Sequence, residues 1–359
     1  MNLIYTYDIF SVQQYGGISR YFSEIIRRIP PSEANVRVLA GLYINEYARE
    51  LKVSKGLKVP PIPYTGFIRM KINRIFQKVM LKGADDKTII HQTYYYPFSF
   101  PKKAKLVVTV YDMIHEHLYP SLTNASSIKR KSCERADIII AISQSTKNDL
   151  VELFGVEPQR VTVIHLASSL KESSMCVAAK AFSEPYMLYV GERKGYKNFD
   201  GFIQAFSQSK MLMDNFHVVC FGGGVFDRTD MDLLKKTGVT NHVHQVKGDD
   251  AILASHYRDA SAFVYPSLYE GFGLPLLEAM SLSCPVVCSN SSSIPEVVAD
   301  AGVYFDPVDS SSIQMVLEDT LSNTQLLADL KARGQKRVSA FSWDRCAVET
   351  LSVYRALIN

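Results

Sequence analysis

One stretch of the chain, residues 265–290, constrains the fold more than any other. It reads YPSLYEGFGLPLLEAMSLSCPVVCSN, and its first residue closes the apolar run AFVY. The apolar run, the glycine-containing turn, the helical pattern from near Leu274 and the second apolar run predict a strand, a loop, a helix and a strand in that order. Units of this kind build parallel sheets, whose ligands lie at the carboxyl ends of the strands. The stretch therefore predicts an α/β fold with a binding site around Gly271 and Gly273.

Two glutamates in this stretch are candidates for ligand binding. Glu270 stands at the mouth of the glycine turn, and Glu278 lies eight residues later within the helical pattern. At a rise of about 1.5 Å per helical residue they are roughly 12 Å apart or less, so each could bind one end of a small polyhydroxylated ligand. The glycines also leave backbone N–H groups uncovered at a helix start, which attracts phosphate. The alternative is that both glutamates are ordinary solvated charges.

Length and composition set the outer limits. A chain of 359 residues is long for one α/β core and suits two domains. The six cysteines form no CxxC pair, which indicates a reducing cytoplasm and no structural metal. Neither a signal peptide nor a transmembrane helix is expected, because no uninterrupted apolar run reaches about 18 residues. The GGG run at 222–224 is not GxGxxG, which argues against a dinucleotide-dependent oxidoreductase.

The string from Glu270 to Glu278 resembles the donor-site signature of retaining glycosyltransferase family 4, in which two glutamates are separated by seven residues around an FG turn. The resemblance covers nearly the whole chain and is strongest from 186 to 306. It implies the GT-B arrangement, an α/β architecture of two Rossmann-like domains facing an interdomain cleft. The divisions it implies are an acceptor-side domain at 1–170, a linker at 171–184, a nucleotide-sugar-binding domain at 185–340 and a terminal helix at 341–359 that returns to the first domain.

The resemblance also implies roles for individual residues of the donor site. Arg193 and Lys197 follow a strand-like run that ends in Gly191, and they would clamp the donor diphosphate and stabilise it as the leaving group. Glu270 would orient the sugar, and Glu278 would accept the ribose hydroxyls. Taken alone, the two cations could equally form a basic surface turn. The full donor set comprises Gly16, Gly17, Arg193, Lys197, Val246, Glu270, Gly271, Phe272, Gly273, Leu274 and Glu278.

The acceptor side is expected after two apolar runs of the first domain. Tyr94 and Tyr95 come shortly after TIIH, and their rings suit sugar faces, although a tyrosine-rich loop can also simply cap a core. The run KLVVTV leads into Tyr111 and Asp112, where many relatives have a His-Asp pair. His115 either replaces the missing histidine or is a loop residue without a part in the chemistry, and we expect the second. The expected catalytic residues are Glu270, Arg193, Lys197 and Asp112.

Residues 66–83 predict a basic amphipathic helix. One interpretation, the expectation from the sequence, is a core-packed helix with a solvated basic face. The other is a segment that binds a membrane surface, since lipid-linked acceptors are common in the resembled family. The apolar positions at helical spacing are Ile68, Ile72, Ile75, Phe76 and Val79, and the basic ones are Lys71, Arg74, Lys78 and Lys82.

The function implied by the resemblance is transfer of a hexose from a nucleotide sugar to a glycan or lipid-linked glycan, with retention at the anomeric carbon. Mannose from GDP-mannose is the expected donor, and bacterial surface polysaccharide such as O-antigen, lipopolysaccharide or capsule is the expected product. The reaction is expected to need no metal or cofactor, because no DxD motif stands in a suitable loop. The expected place is the cytoplasm, with peripheral contact at the plasma membrane and no nucleic-acid partner.

Three alternatives remain open at this point. A transferase of the same family could use a UDP-sugar. A GT-B sugar-nucleotide epimerase would share the fold, and an inactive nucleotide-sugar-binding subunit would share the donor site.

Overall fold

The computed structural model describes residues 1–96, 98–119, 123–170 and 181–358, with the backbone alone for 123–125. The chain divides into two compact units. The first comprises Met1–Leu166 with Ser342–Asn359, and the second comprises Ala167–Phe341. The predicted linker falls for the most part outside the described residues.

The first unit is built on a seven-stranded sheet in which every pair of neighbouring strands is parallel. Its strand order is β3-β2-β1-β4-β5-β6-β7. The elements are β1 (Asn2–Tyr5), α1 (Asp8–Val12), α2 (Gly17–Arg28), β2 (Asn35–Tyr43), α3 (Glu46–Glu50), β3 (Ser54–Lys58), α4 (Gly66–Met80), β4 (Thr88–Gln92), β5 (Lys105–Val110), α5 (Ile114–Leu118), α6 (Thr123–Arg135), β6 (Ile138–Ala141), α7 (Gln144–Phe154) and β7 (Val161–Val163).

The second unit repeats this design with six parallel strands in the order β10-β9-β8-β11-β12-β13. The predicted strand, loop, helix and strand are confirmed as β11, α12 and β12 and the loop between the first two. The elements are β8 (Tyr186–Val190), α8 (Phe199–Gln208), α9 (Lys210–Asn215), β9 (His217–Phe221), α10 (Arg228–Lys236), β10 (Val243–Val246), α11 (Asp250–Asp259), β11 (Ala262–Tyr265), α12 (Leu274–Ser281), β12 (Val286–Ser289), α13 (Ile294–Val298), β13 (Gly302–Phe305), α14 (Ser310–Ser322) and α15 (Thr324–Val338).

The local sequence explains these elements. Strand β5 reads KLVVTV and is buried along five of its six residues, as expected where helices cover both faces of a parallel sheet. Helix α7 begins after Ser143, whose hydroxyl accepts the Thr146 amide at 3.0 Å, and it ends at Gly155 in the left-handed conformation. In the second unit, Phe202 and Phe206 of α8 pack into the core against the sheet. Alternating strands and capped helices therefore bury apolar side chains against the sheet in each unit.

The chain ends in helix α16 (Trp343–Ile358), which packs on α2 in the first unit. Its Tyr354 is fully buried, and the hydroxyl lies 2.6 Å from Nδ1 of His91 and 3.0 Å from the hydroxyl of Tyr5. Nε2 of His91 lies 2.9 Å from the hydroxyl of Thr109. Burial lowers the pKa of His91 to about 3, so the imidazole is neutral and one ring nitrogen donates while the other accepts. This polar network joins the last helix to three strands of the sheet.

The predicted helix at 66–83 is present as α4, but the expectation of a core-packed apolar face is wrong. Among the predicted apolar residues only Phe76 packs inward, against a core cluster that includes Ile4 and Leu81. The buried side chains of α4 are instead two polar ones, Asn73 and Gln77. The other four predicted apolar side chains are 45–68% exposed: Ile68, Ile72, Ile75 and Val79.

Hydrogen bonds explain this orientation of α4. The Asn73 side chain accepts the amide of Leu42 at 2.6 Å and donates to the carbonyl of the same residue at 2.9 Å. It also donates to the hydroxyl of Ser11 at 2.6 Å. Gly41 has a φ of +59°, and a Cβ there would collide with the side-chain oxygen Oδ1 of Asn73, so a side chain at 41 would exclude this contact. No helix in the described ranges is long and apolar enough to cross a membrane.

We expect Tyr354→Phe to lower the free energy of unfolding by about 1–3 kcal/mol, because it removes the hydroxyl from a buried network and leaves His91 and Tyr5 each short of a partner. Tyr64→Phe is the matched control, since that side chain is fully exposed and should change stability by less than about 0.5 kcal/mol. Equilibrium urea unfolding measures both. Equal effects of the two substitutions would contradict the anchoring role.

Candidate active site

The carboxyl edge of the second sheet carries an ion pair between Lys197 and Glu270. Lys197 follows β8 through a short 3-10 turn, and Glu270 lies in the loop between β11 and α12. The Lys197 Nζ lies 2.6 Å from Oε1 of Glu270, and the two side chains are only 18% and 9% exposed. The ammonium also lies 5.1 Å and 5.4 Å from the ring centroids of Tyr196 and Tyr265. The fold thus joins two predicted site residues that are 73 positions apart in the chain.

Serines after β12 hold this loop from behind, and sequence analysis did not assign them. The fully buried hydroxyl of Ser293 donates to the carbonyls of Glu270 and Phe272, at 2.8 and 3.2 Å. The hydroxyl of Ser292 accepts the Glu270 amide at 2.8 Å. Glu270 is therefore fixed through its own backbone as well as through its side chain. The only signal in the sequence was the run of three serines after an apolar strand.

Asn198 secures the same loop from the other side. Its side-chain amide donates to the carbonyls of Pro266 and Pro307, at 3.1 and 2.7 Å. The residue adopts φ +52°, a left-handed conformation that asparagine tolerates better than most residues. The carbonyl of Tyr196 accepts the amide of Leu268 at 2.7 Å. The loop after β8 and the loop after β11 therefore form one structure.

The N-terminal end of helix α12 lies at this loop, as the glycine turn predicts. Gly273 has φ +104°, and a Cβ there would lie 2.6 Å from a methyl carbon of Leu276. The helix N-terminus favours an anion at the place where the loop meets it. Glu278, one turn into the helix, has Oε2 3.3 Å from the Tyr257 hydroxyl, which can donate to it. The predicted residues from Glu270 to Glu278 are thus grouped on one loop and the first turns of one helix.

Arg193 has contacts that differ from those of an open phosphate clamp. Its guanidinium is 2% exposed and pairs with Asp230 at 3.1 Å. It also donates to four backbone carbonyls of residues 222–225 at 2.9–3.2 Å. These contacts give Arg193 a structural part in holding the loop after β9. Its role at the diphosphate stays a prediction, while Lys197 is the cation that stands next to Glu270.

Three further residues of the predicted donor set lie in other segments. Val246 ends β10, and its carbonyl accepts the amide of Gly222 at 3.3 Å. Gly16 and Gly17 belong to the first unit, where Gly17 is the first residue of α2. The carbonyl of Gly16 accepts the Arg20 amide and the Ser19 hydroxyl, both at 3.0 Å. The contacts of these three residues with a donor stay predictions.

The predicted acceptor-side residues lie after β4 and β5 of the first unit. Tyr94 is 37% exposed, and its ring lies 5.0 Å from that of Tyr95. Tyr111 is buried, and its hydroxyl donates to a backbone carbonyl at 3.4 Å. His115 is exposed on α5. The Asp112 side chain is 37% exposed, and its Oδ1 accepts the amide of Ile114 at 3.1 Å. Asp112 and Tyr94 are therefore open at this edge, whereas Tyr111 is not.

Asp8 is an acidic residue at the same edge that sequence analysis did not mention. It lies just beyond β1, is 5% exposed and accepts a short hydrogen bond from the Thr6 hydroxyl. Burial raises the pKa of Asp8 to about 7, and the Thr6 hydrogen bond opposes this effect. Its position three residues after the apolar run LIY at 3–5 was the signal available in the sequence.

Comparison with known proteins places both units in described families. Residues 15–168 match the family described as Glycosyltransferase Family 4, and residues 175–337 match the family described as Glycosyl transferases group 1. The chain is 30% identical over 279 residues to O-antigen chain mannosyltransferase B of Escherichia coli, which covers 72% of this chain and 73% of that protein. It is 29% identical to O-antigen chain mannosyltransferase RfbU of Salmonella typhimurium, over 60% of this chain and 58% of that protein.

Solved structures show the same architecture. Sucrose-phosphate synthase from Thermosynechococcus elongatus has a TM-score of 0.78 at 19% identity, covering 99% of this chain and 98% of that one. WaaG, a glycosyltransferase involved in lipopolysaccharide biosynthesis, has a TM-score of 0.75 at 18% identity, covering 98% and 99%. The predicted fold class is confirmed as two parallel-strand Rossmann-like sheets of the GT-B type. The chain belongs to the glycosyltransferases of family 4 and group 1, and it is a transferase enzyme.

We expect Ser293→Ala to lower the free energy of unfolding by about 1–3 kcal/mol, because two buried carbonyls of the loop lose their donor. Ser311→Ala, on the exposed start of α14 in the same unit, is the matched control and should have little effect. Denaturant unfolding followed by circular dichroism compares the two. A Ser293 variant as stable as the control would show that the hydroxyl does not support the loop.

Proposed function

We propose that this glycosyltransferase takes mannose from GDP-mannose and adds it, with retention at the anomeric carbon, to a lipid-linked glycan of O-antigen or lipopolysaccharide biosynthesis. The observation that carries the proposal is the Lys197–Glu270 pair beside the start of α12. Mannose and O-antigen are favoured because the two curated relatives described above are O-antigen chain mannosyltransferases by name. The reaction would take place in the cytoplasm.

The donor would bind along the second unit. An ammonium has three N–H donors, and Glu270 accepts one from Lys197, so the same group can also donate to a diphosphate. The N-terminal dipole of α12 favours negative charge at the same loop. Glu278 would accept the ribose hydroxyls, and Glu270 would accept hydroxyls of the sugar ring. The charge that develops on the departing diphosphate would thus meet groups already in position.

The proposal includes a reaction without a metal ion. The Lys197 ammonium and the helix dipole would supply the positive potential, so transfer should persist in EDTA. The retaining outcome is proposed from the match to family 4. The anomeric configuration of the product, read by NMR, tests it, and an inverted linkage would overturn this part of the proposal.

We expect GDP-mannose at about 100 times its dissociation constant to stabilise the protein by about 2.7 kcal/mol, and UDP-, ADP- and dTDP-sugars to stabilise it less. The gain should be lost in Lys197→Ala and in Glu278→Ala, because each removes a proposed donor contact. Lys210→Ala, an exposed lysine of the same unit, should keep it. Thermal-shift titrations measure all of these. A gain with a UDP-sugar alone would move the proposal to that donor, and a gain that survives both site substitutions would contradict the site.

A lipid-linked acceptor is held in a membrane, and α4 is the proposed contact of this protein with an anionic membrane surface. The helix exposes apolar side chains that a core-packed helix would bury, with the exposed Phe67 at its start. Three of its four basic residues, Lys71, Arg74 and Lys78, are exposed as well, and the helix carries no acidic residue. Ile62 and Tyr64, just before the helix, are also exposed. Apolar side chains bordered by cations complement the acyl chains and anionic headgroups of a bilayer.

We expect the protein to sediment with liposomes that contain phosphatidylglycerol, and less so as salt rises. Reversing the charge at Lys71, Arg74 and Lys78 should weaken binding by about 1 kcal/mol for each residue. Ile75→Asp should weaken it by preventing insertion, whereas Val348→Asp, equally exposed on α16, should not. Both aspartate variants should stay folded, because both positions face solvent. Binding that is unchanged by the α4 substitutions would contradict this role for α4.

A further inference from the structure

Lys129 of α6 is a buried lysine that no part of the proposed mechanism uses. Its side chain is 5% exposed, although lysine is rarely buried without a charged partner. The ammonium donates to the carbonyl oxygen of Asp112 and to Oε2 of Glu116, each at 2.8 Å. It lies 3.7 Å from Oδ1 of Asp112 and 5.6 Å from the ring centroid of Tyr95. One cation therefore binds both the segment that connects β5 with α5 and the helix α5 itself.

The contacts of Lys129 and of the Ile114 amide fix the orientation of the Asp112 carboxylate. Oδ1 is held by the amide of Ile114 and faces Lys129, while the side chain as a whole remains 37% exposed. Strand β5 lies between β4 and β6 and is therefore an interior strand of the sheet. Asp112 follows its carboxyl end, where ligands of parallel sheets bind. Tyr95 belongs to the same cluster, because its hydroxyl accepts the amide of Tyr111 at 3.2 Å and its ring lies 5.6 Å from the Lys129 ammonium and 5.0 Å from the ring of Tyr94. Burial raises the pKa of both tyrosines, and the charge of Asp112 raises it further.

A fixed carboxylate and an exposed tyrosine ring at one edge of a sheet suit a sugar. The carboxylate accepts hydroxyl hydrogens, and the ring covers an apolar sugar face. Without Lys129, the segment after β5 would lose the donor to the Asp112 carbonyl and the cation that lies 3.7 Å from the carboxylate. Glu116 is the third member of the cluster, and its Oε1 is buried without a hydrogen-bond partner among the described residues. Lys129 is thus the charge that keeps Glu116 and Asp112 close together.

We propose that Lys129 is a positioning residue, which holds the Asp112 carboxylate in the orientation that binds a sugar hydroxyl of the substrate. The proposal rests on the proposed function, because it needs a sugar substrate. It does not make Lys129 a catalytic residue, since the side chain is too buried to contact substrate directly.

The test is a double-mutant cycle on the intact enzyme. Lys129→Met alone leaves Glu116 as an unpaired buried charge and can fail to fold, so the cycle uses Lys129→Met combined with Glu116→Gln, which removes both charges together. Asp112→Asn is the second arm, and the variant with all three changes closes the cycle. Glu116→Gln alone is the control, since it keeps Lys129. Mannosyl transfer to acceptor is followed by steady-state kinetics, and unfolding midpoints confirm that each variant is folded.

We expect Asp112→Asn and the Lys129/Glu116 pair variant each to lower kcat/KM at least about tenfold, the loss of one hydrogen bond to a charged group. Glu116→Gln alone should change kcat/KM less than about threefold. The triple variant should be no worse than Asp112→Asn, because Lys129 acts only through Asp112. The thermal shift with GDP-mannose should remain in the pair variant.

Two results would overturn the inference while leaving the proposed function in place. The first is a loss of less than about twofold in kcat/KM in the Asp112→Asn variant, when the wild-type enzyme does transfer mannose. The second is a triple variant whose loss is the product of the two separate losses, which would give Lys129 an effect independent of Asp112. A wild-type protein that transfers sugar from none of the nucleotide sugars would overturn the proposed function, and this inference with it.

Discussion

All strands within each sheet run in one direction, and the rest of the structure depends on this constraint. A parallel strand delivers the loop that follows it to one shared edge, so residues far apart in the chain meet there without any local signal. Lys197 follows β8 and Glu270 follows β11, and these two strands are neighbours in the sheet although four helices and two strands separate them in the chain. Their 2.6 Å contact is a consequence of strand order.

The loops at these edges are held by polar groups that are almost completely buried. Ser293 fixes the loop of Glu270, Arg193 fixes the loop after β9, and Lys129 fixes the segment after β5. A buried polar group is costly unless it is hydrogen-bonded, and each of these side chains donates to backbone carbonyls of the loop or segment that it holds. The exposed or half-exposed groups, such as Asp112, can therefore be held in one orientation without being buried themselves.

Helix α4 shows the opposite use of polar and apolar side chains. Its amide side chains face the sheet, where Asn73 completes hydrogen bonds at Leu42, and much of its apolar surface faces outward. A helix that packs in this way gains little from the hydrophobic effect within its own unit. The exposed apolar surface is explained if a partner outside the chain covers it, and the adjoining basic residues are the reason that an anionic bilayer is proposed as that partner.

The sequence by itself determined the fold class, the order of strands and helices, and the loop and helix that carry Glu270 and Glu278. These follow from local patterns, because apolar periodicity and glycine turns act over a few residues. It did not determine that Ser293 and Lys129 support the site, that Arg193 is enclosed by carbonyls, or that α4 turns its apolar residues outward. Those outcomes depend on hydrogen bonds between residues distant in the chain, such as Asn73 with Leu42, and a helical pattern reads the same whichever face is buried. Only the tertiary structure decides which face that is.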